Sequence, residues 1–422
     1  MHIRDPIHGT ILLSPAELDL VETPVFQRLR GIKQLGFADH AFPGATHSRF
    51  AHSLGAMEMA TRIFDAIFPA DGCSLPGAER KRFRQLLRLA VLMHDLGHAP
   101  LSHATEGCMP ARRTLDLPLF SKEDGLRQAN HEDYTTLLLL RSKLTALMRL
   151  RFVDEGITPE DVAHLITGVC AKEAHPLEVG GVDYGPLMRQ IVSGELDADR
   201  MDYLQRDSYH AGVDYGRFDR DWLLSNVDAH VEEGKAFLAL HHRAIFAFED
   251  FLLSRYHMFV SVYYHHTSVG FDAMLSRFVE AQAELTFPVD AAAYVGFDDV
   301  AFWSLLRASK DPWAQRIVQR NLYRRVLELN AADDHDELAG FEHLLAERGV
   351  DYFVSSDEGV LSRYYAVGEQ SPIFVLNRQL GRATRVDRYS KLYERYAQPA
   401  RLTRIYCRPD QVREARECAA AP

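Results

Sequence analysis

Residues 91–103 read VLMHDLGHAPLSH. An apolar run that belongs in a core ends in His94, Asp95, His98 and His103, all within ten positions. Buried His and Asp cost free energy unless something pairs them. Gly97 and Pro100 predict that the helix carrying the run, read over ERKRFRQLLRLAVLMHDLG (79–97), stops here. Adjacent positions diverge by about 100° on a helix, yet His94 and Asp95 can meet one ion at a helix end. His98, four residues after His94, shares its face if the helix runs that far. A lone His-Asp pair is more often two satisfied polar residues at a helix terminus, so the rest of the chain must decide.

Two further segments shift the weighing. THSRFAHSLG (46–55) carries His47, Arg49 and His52, with Arg49 and His52 at i and i+3 of a helix. GELDADRMDYLQRD (194–207) places Asp199, Tyr203 and Asp207 on one helical stripe, flanked by Arg200 and Arg206. Such a stripe is usually a solvated face, and each segment alone is weak evidence. Taken together, they resemble a known metal-site signature of one His, then His-Asp, then a distant Asp, here His52, His94, Asp95 and Asp199. Two imidazoles and two carboxylates suit a divalent transition metal such as Mn, Fe, Co, Ni or Zn. Four protein ligands leave room for water and substrate only at higher coordination, which disfavours a closed structural zinc site.

The whole chain sets the frame. Its 422 residues are 47% hydrophobic, enough for a large core. A net charge of -11 gives no global field for nucleic acid, which is not expected as the main partner. Five cysteines (73, 108, 170, 407 and 418) fit neither a disulfide framework nor a zinc ribbon; Cys170 reads as buried packing. MHIRDPIHGT lacks an apolar signal region, and no run of about 18 apolar residues predicts a membrane span. A cytoplasmic globular protein is expected.

Helical spacing recurs in 23–36, 52–68, 79–97, 131–152 and 248–265. After the polar AADDHDELAG (331–340) the texture turns to short strands at 351–356, 372–377 and 402–408, then a helix in RPDQVREARE. The expected fold is mainly α: a helical catalytic core over 1–330 and a small C-terminal α/β region over 331–422.

The four ligand positions resemble the signature of HD-domain metal phosphohydrolases. The resemblance narrows from DPIHG (5–9) through ETPVFQRLRGIKQLG (22–36), THSRFAHSLG (46–55), HDLGHAPLSHATE (94–106), NHED (130–133), ELDADRMDYLQRDSYHAG (195–212) and SRYHMFVSVYYHH (254–266). In this order, over roughly residues 5–270, the motifs resemble the deoxynucleoside triphosphate triphosphohydrolases. That group includes the animal SAM-and-HD-domain enzymes and bacterial relatives without a SAM domain. The resemblance implies cleavage of a dNTP to deoxynucleoside and inorganic triphosphate by metal-assisted attack at the α-phosphorus, with Mg on the substrate a candidate companion ion.

It also implies residue roles. His52, His94, Asp95 and Asp199 would hold the metal. His98 and His103 would face the triphosphate, with His103 the candidate proton donor to the leaving 5′ oxygen. His131 would act beside the α-phosphate, oriented by Glu106, where the family often has Asp. Arg49, Arg200 (commonly Lys in relatives) and Arg255 would clamp phosphate oxygens. Gln34 and Leu35 would lie against the deoxyribose, with Gln34 and Asp207 near the 3′-OH. Tyr203 and Tyr263 would crowd the 2′ carbon and disfavour a ribose 2′-OH. Phe259 stands where some relatives place a base-contacting His. A homo-oligomer, dimer or tetramer, is implied. A nucleotide effector is left open: Gln27 and Arg30 match interface positions, but Glu22 replaces an Asp.

Two rivals stand beside this reading. One is an HD phosphohydrolase for another phosphoester, such as a nucleoside monophosphate or a modified nucleotide. The other is a nucleotide- or nucleic-acid-binding protein with a vestigial HD site, which metal analysis would separate.

Overall fold

The computed structural model of the chain describes residues 1–117, 126–169, 174–282, 284–330, 333, 336–359, 371–392 and 400–419. Cys170 and the tail beyond Ala419 lie outside them. The chain is mainly α, as expected, with small sheets. No helix among the described residues is long and apolar enough to cross a membrane.

A short hairpin, β1 (His2–Asp5) and β2 (Gly9–Leu12), leads into α1 (Pro15–Val21). The centre is α3 (Arg49–Ile67), packed against α4 (Gly77–Met93) and α9 (Ala198–Ala211). α3 is buried along nearly its whole length, and Val91, Leu92 and Met93 at the end of α4 are wholly inaccessible. These apolar residues anchor the backbone from which the polar cluster projects.

Two glycines permit the close approach of these helices. A Cβ on Gly55 of α3 would overlap the side chains of Asp202 and Arg206 on α9. A Cβ on Gly97 would overlap the backbone of His131 and Thr135 in α5 (His131–Arg141). The NHED motif is itself a helix start: Asn130 accepts from Asp133 N–H, and Asp133 accepts from Asn130 N–H.

Several predicted helices are shorter than their periodicity suggests. The 23–36 stretch gives only α2 (Pro24–Gln27) and a 3-10 turn, Arg28–Gly31, before Ile32 turns extended. Asp299 takes up the Lys33 N–H at 3.0 Å, which removes it from any helical ladder. α4 ends at Met93, so His94 to His98 lie beyond the regular helix. The 131–152 stretch breaks at Ser142, which is extended and caps α6 (Lys143–Arg151) through its own hydroxyl. α11 (Ile245–Met258) continues as a π turn over Phe259–Tyr263, the kind of widened turn that re-aims side chains at functional sites.

The expectation that the first 330 residues are mostly helical misses a hairpin, β5 (Val227–Glu232) and β6 (Lys235–His241). Its turn, Glu233-Gly234, has positive φ at both residues, as a tight hairpin requires. The strand Phe374–Asn377 joins β6 in parallel, so the C-terminal part of the chain completes a sheet begun before it. A separate three-stranded sheet, Arg324–Asn330, Ala400–Cys407 and Tyr352–Gly359, packs with helices Asp336–Glu347 and Val412–Ala419 around Phe341, Leu345 and Ile405.

Candidate metal centre and the adjacent histidine cluster

His52 comes from the first turn of α3, His94 from the residue capping α4, and Asp199 from the first turn of α9. His52 Nε2 lies 2.9 Å from Asp199 Oδ1 and 3.4 Å from His94 Nε2; His94 Nε2 is 3.5 Å from the same carboxylate oxygen. The other ring nitrogens are occupied. His52 Nδ1 donates to Asp202 at 2.8 Å, and His94 Nδ1 donates to the Val91 carbonyl at 2.6 Å. Those bonds fix tautomers in which both Nε2 lone pairs converge on one point beside a carboxylate.

Lone pairs and a negative charge facing each other call for a cation, so this donor set fits a divalent transition metal. A proton can fill the same role: burial opposes it, but Asp199 and Asp202 push His52 up to about 10. The fourth expected ligand, Asp95, sits 3.2 Å from His94 Nε2 and 3.7 Å from His52 Nε2. Its carboxylate also takes Arg49 Nη1 at 2.5 Å and lies 3.2 Å from His98 Nε2, so it joins the centre to its neighbours.

Behind the centre lies a network that the sequence reading did not find. Asp202 is fully buried and accepts from His52 Nδ1, His8 Nε2 (2.6 Å), Arg206 Nε (2.9 Å) and Arg206 Nη2 (2.9 Å). Arg206 in turn reaches Asp5 at 2.8 Å. DPIHG therefore does more than shape a turn: Asp5 and His8 brace the carboxylate that orients His52. The signal present in sequence was Asp202 itself, one helical turn after Asp199.

Next to the centre, His98, His103, Glu106 and His131 form a second cluster. Glu106 Oε1 accepts from His131 Nδ1 at 2.6 Å and from His103 Nδ1 at 3.2 Å. Burial opposes ionisation of Glu106, but the hydrogen bonds from the two histidines hold its carboxyl well below the usual range. With both Nδ1 atoms tied down, both Nε2 atoms face away from Glu106. The His98 ring stacks on His131 at 4.0 Å. Burial, with Arg49 and His131 adding like charge, holds His98 far below its ordinary value and therefore neutral. His103 is 67% exposed, the open side of the cluster. Leu101 and Ser102, just before it, both have left-handed φ (56° and 58°). Asp299 clamps this turn by accepting the Leu101 N–H at 2.7 Å.

The remaining predicted residues group around α9 and the π turn. Tyr263 donates to Asp207 Oδ2 at 2.8 Å, and Tyr203 lies 6.2 Å from Tyr263, ring to ring. His47, given no role in the sequence reading, donates from Nε2 to Asp207 Oδ1 at 2.8 Å. Gln34 is tied to that residue by its backbone, its N–H donating to the His47 carbonyl, while its side-chain Oε1 is buried with no hydrogen-bond partner among the described residues. Leu35 packs on the main core. Arg49 donates from Nε to Ser102 and from Nη1 to Asp95. Arg200 donates to the Gly194 carbonyl and faces Glu195; Arg255 faces the same glutamate. His2, His230 and His343 join neither cluster.

The HD domain model matches residues 49–207, and the model for the HD associated region matches residues 218–365. YwfO of Bacillus subtilis (strain 168) is 30% identical over 424 residues, 93% of this chain and 88% of that protein. The deoxynucleoside triphosphate triphosphohydrolase SAMHD1 of Mus musculus is 26% identical over 463 residues, 96% of this chain and 68% of that one. A crystal structure of a hypothetical protein from Aquifex aeolicus is 27% identical, covers 99% of both chains and superposes with a TM-score of 0.76. The chain spans 57 to 60% of the length of the archaeal and mycoplasmal relatives it also matches.

Proposed function

The chain belongs to the HD-domain phosphohydrolase family, and from that membership we propose that it is a metal-dependent deoxynucleoside triphosphate triphosphohydrolase. The observation that carries the proposal is the juxtaposition of two clusters through one residue. Asp95 contacts both His94 of the metal centre and His98 of the phosphate-facing group.

His52, His94, Asp95 and Asp199 would hold the metal, which when bound acidifies water and offsets charge on a phosphoryl oxygen. The protein's own groups do the rest. Glu106 holds His131 by Nδ1, so its Nε2 is free to take a proton from water approaching the α-phosphorus. Glu106 holds His103 in the same way, and His103, on the open side, delivers a proton to the departing 5′ oxygen. Neutral His98 hydrogen-bonds phosphate oxygen without adding charge beside Arg49. Arg49, Arg200 and Arg255 neutralise the chain of phosphates.

The sugar side supports a deoxy preference. Asp207 is positioned by His47 and Tyr263, which leaves its remaining lone pairs to accept a 3′-OH. The Tyr263 hydroxyl spends its proton on Asp207, and burial together with Asp207 keeps the phenol protonated. Tyr203 and Tyr263 would crowd the 2′ carbon, which disfavours a ribose 2′-OH.

The test is a panel of dNTPs, NTPs and nucleoside monophosphates hydrolysed by metal-loaded protein, with products resolved by phosphorus NMR. The expected products are deoxynucleoside and intact triphosphate from dNTPs. Release of orthophosphate or pyrophosphate, or turnover of monophosphates alone, would refute the proposal.

A further inference from the structure

Glu195 is 3% exposed, and neither of its carboxylate oxygens has a hydrogen-bond partner among the described residues. Buried carboxylates ordinarily collect hydrogen bonds, so this one needs a reason. Its neighbours supply one. Oε2 stands 3.5 Å from Arg200 Nη1 and Oε1 stands 3.6 Å from Arg255 Nη1, both beyond hydrogen-bonding contact but inside ion-pair range. The nearby Asp197 caps α9 by accepting Arg200 N–H at 2.7 Å and Gly194 N–H at 2.9 Å, and its Oδ2 also lies 3.7 Å from Arg200 Nε. Glu195 has no such structural task.

We propose that Glu195 is a positioning residue that serves as the internal counter-anion of the phosphate clamp, holding Arg200 and Arg255 together and limiting how tightly the clamp retains polyphosphate. The inference rests on reading those two arginines as phosphate-facing. Two guanidiniums repel when brought to one site, and a carboxylate between them offsets that repulsion. The same charge persists when a polyphosphate enters. It then repels the ligand from behind the arginines, so affinity is lower than two arginines alone would give. In a triphosphohydrolase this favours departure of the triphosphate product.

The sign of the effect separates this role from a purely structural one. E195Q keeps the shape and removes the charge; a structural defect would loosen the clamp and weaken binding, whereas loss of a counter-anion strengthens it. The experiment is calorimetric titration of inorganic tripolyphosphate into the full-length, metal-loaded protein and into E195Q, with KM for a dNTP measured in parallel. The expected result is about tenfold tighter tripolyphosphate binding in E195Q, from removal of one unit charge in a partly screened site, with KM lowered in the same direction. E195D, which draws the charge back by one methylene, should bind between the two and covers the case in which E195Q does not fold. Affinities of both variants within twofold of wild type, or weaker at unchanged melting temperature, overturn the role of Glu195 alone. Failure of tripolyphosphate to bind wild-type protein overturns the phosphate reading of the arginines, and with it the proposed function.

Discussion

Replacing Asp202 with Asn tests how His52, the proposed metal ligand, is held. The Asp202 carboxylate accepts four hydrogen bonds, two from Arg206 and one each from His52 and His8, and is wholly buried. Asn offers one accepting oxygen and one donating nitrogen in the same place. If the nitrogen faces His52, it donates to Nδ1 and drives the proton to Nε2, the atom needed by the metal. If it faces His8 instead, that ring loses its acceptor and the brace to the N-terminal hairpin loosens. Loss of such an outer partner typically lowers metal affinity by about 10- to 100-fold.

There is also a stability cost. Arg206 is fully buried and would keep Asp5 but lose an anionic partner, so about 3 kcal/mol is expected, the lower end for breaking a buried pair. Competition between the protein and a chelator for Co(II), read optically, measures the first quantity; urea unfolding of metal-free protein measures the second. Metal affinity within twofold of wild type would refute the claim that Asp202 sets the His52 tautomer, whatever happens to stability.

Three further outcomes follow from the same geometry. E106Q keeps an accepting oxygen but removes the negative charge that holds both histidines, so kcat should fall about 100-fold with KM little changed; equal losses in both, or none, would argue against a shared orienting carboxylate. Y203A should lower the preference for dNTP over NTP, measured as a ratio of kcat/KM, by at least about tenfold, and an unchanged ratio would remove Tyr203 from the sugar pocket. Glu17, 1% exposed, pairs with buried Arg88 while closing the capping box of α1. Burial opposes ionisation of Glu17, but Arg88 holds its carboxyl below the ordinary value of 4.5. The stabilisation is therefore complete above about pH 4.5 and lost as pH falls through the lower folded value. E17A should cost about 3–5 kcal/mol near neutral pH by stranding Arg88, and acid unfolding curves that coincide for E17Q and wild type would contradict this linkage.

The residue types and their order determined much of this protein in advance. Two His and two Asp in separate motifs gave the expectation of a metal, and TPVFQ and NHED carry the caps that start α2 and α5, whereas Gly36 and Gly97 lie beyond the ends of their helices. Those features are local, because capping and ligand chemistry are written in neighbouring side chains. Periodicity overestimated helix length at 23–36 and 131–152, since Asp299 and Ser142 divert backbone N–H groups that a helix would use. It also missed the hairpin 227–241, whose sheet is completed by residues 374–377.

What only the tertiary structure decided is which polar groups meet across long separations. His8 finds Asp202 from 194 residues away, His47 finds Asp207 from 160, and Asp299 reaches Leu101 from 198. No spacing rule encodes such pairings. They arise because a buried donor or acceptor must be satisfied wherever the packed helices happen to place its partner. Glu195 is an informative exception, a buried carboxylate between two arginines with no hydrogen-bond partner among the described residues. Its sequence neighbours reveal nothing of that position; the fold alone brings Arg255 across to meet it.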